Sequence, residues 1–318
     1  MKLVPALALL VLAASPALAE EPTPGSVLVF PARHGDAPRI TLISVTNTSL
    51  SKSVRALYRY MESGPELKST DYGQDCNSLY RSEMLTPADT VTVSSLCHAG
   101  ANQGYLVVSA QDAFLGPAVA HDYLVGSALV VEFGGGFGGI YAYQPAAYDA
   151  IGAEGTPTDV DFDGRLDFDG IEYEQLPDTL AIDGFLGLGG SRLSLVNMTE
   201  DRSAVVNVQL YIWNDNEKPL SAQFSFRCWF EQRLDVISAA FSEAFLAANF
   251  NDGDEVDLDC DGFDDIESGW ATVSGLTANG NFQTTANPPL LGALTGAKSS
   301  LEGGRLLWGS KARSDGSF

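Results

Sequence analysis

Short runs with a two-residue apolar period constrain this chain more than any other feature. In SVRALYRYM, Val54, Ala56, Tyr58 and Tyr60 alternate with Arg55, Leu57 and Arg59. In AVVNVQLYIW, Val206, Val208, Leu210 and Ile212 alternate with Asn207, Gln209 and Tyr211. QFSFRCWF repeats the pattern, with Phe224, Phe226, Cys228 and Phe230 on one side. Successive side chains of a β-strand point to opposite faces, so this spacing gives each strand one apolar and one wet face. The stretches between, such as TNTSLSKS, MESGPELKSTDYGQD and WNDNEKPLS, are rich in the residues that turn a chain back on itself. Strands of this kind must cover their apolar face with a second sheet. The chain is therefore expected to be all-β and built of antiparallel, Ig-like sandwiches. One exception is SEAFLAANF at 242–250, where Ser242 is placed to cap a short helix.

The pattern occurs twice. RITLISVTNTSLSKSVRALYRY (39–60) aligns with SRLSLVNMTEDRSAVVNVQLYIW (191–213), which matches Asn47 to Asn197 and Ser53 to Ser203. GYLVVSAQD (104–112) aligns with GWATVSGLT (269–277), and LVGSAL (124–129) with LLGALT (290–295). The order is kept, as a duplicated sandwich requires. The expected organisation is a signal peptide at 1–19, a first sandwich at 20–145, a linker at 146–182 and a second sandwich at 183–318.

The leader expectation rests on MKLVPALALLVLAASPALAEEP: a positive start at Lys2, an apolar stretch from Leu3 to Ala14, and a small-residue cleavage site at Ala17-Leu18-Ala19. Its apolar stretch is shorter than the roughly 20 residues that span a bilayer, so a secreted, cell-surface or periplasmic product starting at Glu20 is expected, without membrane insertion. Export makes disulfides the natural reading of four cysteines. Of the three possible pairings the duplication favours Cys76–Cys97 with Cys228–Cys260, each closing a loop that chain entropy values at about 3 kcal/mol.

The formal charge is −23, which excludes nucleic acid and anionic membrane surfaces as partners. The acid is concentrated: residues 159–169 hold five carboxylates and 252–267 hold nine, together 14 of the chain's 41. DVDFDGRLDFD (159–169) and DLDCDGFDDIE (257–267) share the template D-x-D-x-D-G-x-x-D-x-(D/E). Carboxylates two residues apart repel unless a cation sits among them, and a glycine at the sixth place permits the sharp turn that lets the first three converge. Calcium, which accepts irregular sets of oxygen ligands, is the expected cofactor. The candidate ligands are Asp159, Asp161, Asp163, Asp167 and Asp169, with the Arg165 carbonyl, and Asp257, Asp259, Asp261, Asp265 and Glu267, with the Phe263 carbonyl. These eleven-residue segments resemble the calcium loops of EF-hands and of thrombospondin type 3 and dockerin repeats. They depart from the EF-hand at the twelfth place, where Gly170 and Ser268 stand instead of a bidentate Glu. The resemblance implies a brace rather than a helix–loop–helix sensor. The whole chain also resembles uncharacterised secreted bacterial β-sandwich repeat proteins, a likeness that carries no function.

Other motifs carry less. A G-x-G-x-x-G at Gly134, Gly136 and Gly139 mimics a dinucleotide fingerprint, but Pro145 interrupts any helix after it and no parallel β-α alternation surrounds it. Asn47 and Asn197 open glycosylation sequons at matched strand ends. His34, His98 and His121 have neither HExxH nor clustered spacing, and no G-x-S-x-G occurs. The expected function is thus non-enzymatic: a calcium-stabilised structural or interaction protein of a surface, matrix or filament, with self-assembly as one route. The alternative is a module that binds carbohydrate or another envelope polymer. Its partner is expected to be a protein or a surface polymer.

Overall fold

The computed structural model describes residues 23–63, 76–114, 116–133, 139–177, 179–187, 189–199, 204–214, 217–250, 266–278, 284–286, 290–296 and 304–307. The leader expectation lies outside them, as do Asp257, Asp259, Asp261, Phe263, Asp265 and Cys260.

The first half comprises β1 (Val27–Asp36), β2 (Arg39–Asn47), β3 (Val54–Ser63), β4 (Asn77–Leu85), β5 (Thr90–Ser94), α1 (Ser95–Ala99), β6 (Gln103–Gln111), β7 (Leu124–Glu132), β8 (Ile140–Tyr143) and β9 (Ala146–Tyr148). One sheet runs β4-β3-β6-β1 with β9 beside β1, and the other runs β5-β2-β7-β8. β1 belongs to both: Val27 to His34 pairs with β6, and then Gly35 and Asp36 pair with β2. Between the sheets Val54, Ala56, Tyr58 and Tyr60 meet Ile43, Val45, Ala128 and Val130. β2 alternates strictly between buried and half-buried residues, as its period predicts.

The second half repeats this plan. Its strands are β10 (Leu180–Leu186), β11 (Arg192–Asn197), β12 (Val205–Asn214), β13 (Pro219–Phe226) and β14 (Trp229–Arg233). The helices α2 (Leu234–Ile237) and α3 (Glu243–Phe250) follow, then β15 (Ser268–Ala278), β16 (Thr284–Ala286), β17 (Leu290–Thr295) and β18 (Gly304–Leu306). The sheets run β13-β12-β15-β10 and β14-β11-β17-β18, strand for strand the order of the first half. Even the irregularities match. The β1–β6 register shifts just before Arg33↔Gly104, and the β10–β15 register just before Phe185↔Gly269. Gly269 is confined to glycine by its neighbours, since a Cβ there would overlap the Trp213 carbonyl and the Phe185 ring.

Two sequence readings are corrected here. QFSFRCWF is not one strand: it breaks between Phe226 and Trp229, where Cys228 takes a φ of +27°, and the chain crosses from one sheet to the other. The alternation survives the break because Phe226 and Phe230 enter the same core from opposite sheets. Phe230 stacks on Phe224 with centroids 4.3 Å apart. The helix after Ser242 is present, but the Ser242 hydroxyl donates back to the Ala239 carbonyl (2.8 Å) while its own carbonyl accepts the first helical N–H groups.

A third core joins the halves. The outer face of the β3-β6-β1-β9 sheet presents Met61, Tyr105, Val107, Val27, Val29 and Tyr148. Against it lie Val196, Trp229 and Leu291 from the second half. β1 is consequently buried on both faces from Val27 to Gly35, and β6 from Gly104 to Ala110. The Trp229 indole N–H donates to the Pro31 carbonyl (2.6 Å) across this junction.

Candidate metal site and the junction around it

The first acidic loop leaves β9 and is held against the third core by its own apolar residues. Phe168 packs edge-on against Tyr148 (5.0 Å) and tilted over Tyr173 (5.6 Å), and Leu166 packs beside it. Thr158 and Tyr173, both buried, share a hydroxyl–hydroxyl hydrogen bond of 2.7 Å across the loop's base. Gly164 adopts φ +79°, the left-handed turn expected of the sixth place.

Within this frame the carboxylates converge. Asp159, Asp161 and Glu172 form one group, and Asp161, Asp163 and Asp167 a second, with ligand oxygens in each lying within 4.8 Å of one another. Asp161 belongs to both groups. The loop's amides also point inward: the Asp163 N–H donates to Asp159 (3.1 Å) and Asp161 (3.2 Å), and the Gly164 N–H donates to Asp159 (3.1 Å). Arg165 balances part of the charge, with Nε 3.3 Å from Asp163 Oδ2. Asp169 joins neither group. It accepts the Ile171 N–H (2.8 Å) and so turns the chain.

Glu172 is the residue that sequence reasoning missed. It is buried, accepts from the Val160 N–H (2.7 Å) and the Asp167 N–H (3.3 Å), and thereby cross-links the two ends of the loop. Burial raises its pKa, a shift that the two amide donors oppose and that Asp167 and Asp159 reinforce. The available signal was an acid two residues past Gly170, two places beyond the end of the twelve-residue EF-hand loop. All donors in both groups are oxygens, which fits a hard cation such as calcium and disfavours softer metals that seek thiolate or imidazole. These acidic groups could hold a metal ion, although exposed acidic groups are common without one. Of the second loop only Glu267 and its neighbour Ile266 fall among the described residues. Glu267 is buried; its amide donates to Glu243 (3.0 Å) and its carbonyl accepts from Gly187 (2.8 Å).

The cysteine pairing differs from expectation. Cys76 is bonded to Cys228, not to Cys97, with Cα atoms 6.0 Å apart and 152 residues between them. Cys97 is exposed and free. The duplication misled because Cys228 is not the counterpart of Cys76. The Asn197 N–H donates to the Cys228 carbonyl as the Asn47 N–H donates to that of Asp89, so Cys228 occupies the place of Asp89. Cys76 and Cys228 both lie in the third core, where docking of the halves brings them together.

A buried charge cluster lies at the same junction. The Glu231 carboxylate of β14 accepts from Arg39 (2.7 Å) and lies 3.2 Å from His34 Nε2, both in the first half. Arg192 is 3.6 Å away and the Ser194 hydroxyl donates to it at 3.3 Å. Burial alone would raise the Glu231 pKa, but His34, Arg39 and Arg192 outweigh it and hold the carboxyl well below the usual range. The other two histidines also meet carboxylates: His121 lies 2.9 Å from Glu154, and His98 3.4 Å from Glu83. His98 also bonds the buried Tyr60 hydroxyl (2.5 Å). The sequon asparagines are buried too. Asn47 donates to the Lys52 and Thr86 carbonyls, and Asn47 and Asn197 each accept the amide two residues on. The glycine-rich stretch lies between paired Val131 and Ile140 of an antiparallel hairpin, which is no dinucleotide fold.

One surface stands apart from the junction. On the outer face of β12 and β15, Trp213 and Trp270 pair across the strands and stack at 4.2 Å, 11° from parallel. Tyr211 continues the row.

No family model matches the chain, and no curated protein does. Among solved structures it is similar to Thermotoga maritima 1070, at 8% identity and a TM-score of 0.28, over 42% of this chain and 98% of that one. It is also similar to the major pilin of Streptococcus pyogenes, at 11% identity and a TM-score of 0.13, over 89% and 96% of the two chains. A mutant form of that pilin gives 8% and the same TM-score, over 89% and 97%. Scores this low carry no argument about function. Among the described residues, no helix is long and apolar enough to cross a membrane.

Proposed function

We propose that this is an exported structural or interaction protein without catalytic activity, in which calcium binds the 159–172 loop and braces the junction of two sandwiches. The observation that carries the reading is the convergence of five carboxylates on a loop whose other side, Leu166 and Phe168, is packed into the core that joins the halves. Calcium there would neutralise repulsion worth roughly 1–4 kcal/mol per close pair at surface-like dielectric constants. It would also tie the β9 end of the first half to the segment that leads into the second. The leader-like N-terminus and the Cys76–Cys228 bond support an oxidising, extracytoplasmic location. The test is calorimetric titration of the mature chain with calcium. Saturable binding that weakens at least tenfold in Asp161→Ala, which removes the ligand shared by both groups, supports the reading. Wild type and variant that bind alike would overturn it. A second reading, attachment to an envelope polymer, is favoured by the row Tyr211–Trp213–Trp270, in which Tyr211 and Trp270 are exposed.

A further inference from the structure

The outer face of the β13-β12-β15 sheet sets stacked aromatic rings beside a ladder of amides, which the equally uncharged outer face of β5-β2-β7 does not. Strand register lays its outward residues in four rows of three, from Ser225–Asn207–Leu276 at one end to Pro219–Trp213–Trp270 at the other. None of these twelve positions holds Asp, Glu, Lys or Arg, in a chain of net charge −23. Two rings at the aromatic end remain open to solvent, Trp270 at 44% and Tyr211 at 50% exposure. Trp213 lies between them and holds Trp270 in place by stacking. The other end is a ladder of amides and hydroxyls. Ser225 donates to Asn207 (2.7 Å), Gln223 donates to Gln209, and Gln209 donates to the Leu210 carbonyl (3.0 Å). These side chains are thus set by bonds within and between the strands before any ligand arrives.

We infer that this face binds a neutral polysaccharide. A pyranose ring has an apolar C–H face and a rim of hydroxyls that both donate and accept. An aromatic ring suits the first, and amides and hydroxyls, which carry donor and acceptor together, suit the second. A charged side chain on such a surface would lose hydration without gaining a counter-charge, so an uncharged face with aromatic rings and amides suits a neutral ligand. The same absence of charge leaves nothing to hold an anionic polymer, which the chain's overall charge repels. The inference rests on the polymer-attachment reading above and narrows it. Binding here requires no metal in the acidic loop.

The test is native electrophoresis of the full chain through gels that contain mixed-linkage glucan, xylan, galactomannan, dextran or hyaluronan. Retardation is expected in at least one neutral gel and not in hyaluronan. The double variant Tyr211→Ala/Trp270→Ala should lose it at least tenfold in apparent affinity. Its melting temperature should stay close to that of wild type, since Trp213 and the strand ladder are kept. Retardation in no neutral gel, or retardation kept by the double variant, overturns the inference. Retardation in hyaluronan alone would also overturn it while leaving polymer attachment standing. Sedimentation supplies the last arm: a wild-type dimer that the double variant abolishes would mean that a second copy covers this face, and would overturn the inference too.

Discussion

Cys228 sits one residue before β14 because the chain there leaves one sheet for the other, and that corner carries its thiol into the joining core beside Cys76. Non-reduced peptide mapping should therefore recover a Cys76–Cys228 peptide, with Cys97 taken up by an alkylating reagent; a Cys76–Cys97 peptide would contradict the structure. A bond that spans 152 residues constrains the unfolded chain by about 5 kcal/mol in the chain-entropy model, so reduction should lower stability by that order. Spacing along the sequence could not reveal this pairing, because the contact depends on how two finished sandwiches dock. Glu172 was hidden for a similar reason: it enters the acidic loop from beyond the repeating template. Asn47, by contrast, matched by Asn197 in the second repeat, is legible in the sequence as a strand-end residue. Its buried side chain donates to two carbonyls and accepts one amide. Asn47→Ala should thus cost roughly 2–3 kcal/mol in urea unfolding. A loss below about 0.5 kcal/mol, the ordinary surface range, would contradict that role.

At the scale of elements, strand alternation predicted the inner faces well. Val54, Ala56, Tyr58 and Tyr60, and likewise Val206, Val208, Leu210 and Ile212, all point into their cores. It predicted less where a sheet is covered on both sides. β1 and β6 carry the continuous apolar runs VLVF and YLVV, which mark strands with no wet face and so mark the docking surface between the halves. The second face of those strands makes a direct prediction. Val107, 5% exposed, faces the joining core. Val107→Asp should cost roughly 4 kcal/mol or more, the range of a buried unpaired charge. Chemical denaturation measures it, and a change below about 1 kcal/mol would mean that this face is solvated. The corner at Arg227–Cys228 was illegible because hydrophobic period survives when consecutive strands face one core from opposite sides.

For the whole molecule, two charged devices add to the joining core and the Cys76–Cys228 bond in keeping the halves together: the buried Glu231 cluster and the acidic loop. The folded pKa of Glu231 is depressed, so its contribution is fully present above the unfolded carboxylate range and is lost as pH falls toward the folded value. Glu231→Gln leaves Arg39 and Arg192 without their counter-charge and should cost roughly 3–5 kcal/mol at neutral pH. The gap between wild type and variant should narrow as pH falls below about 4, where the unfolded carboxyl takes its proton. A gap unchanged from pH 7 to pH 3 would contradict the account. The loop is the central claim, and the most direct test is a thermal melt of wild type and Asp161→Ala, each with excess calcium and with chelator. Calcium at a hundred times its dissociation constant stabilises by about 2.7 kcal/mol, which should raise the wild-type Tm by roughly 5 °C. Asp161→Ala should melt at nearly the same temperature in both conditions. A wild type whose Tm does not move between calcium and chelator would contradict the calcium brace.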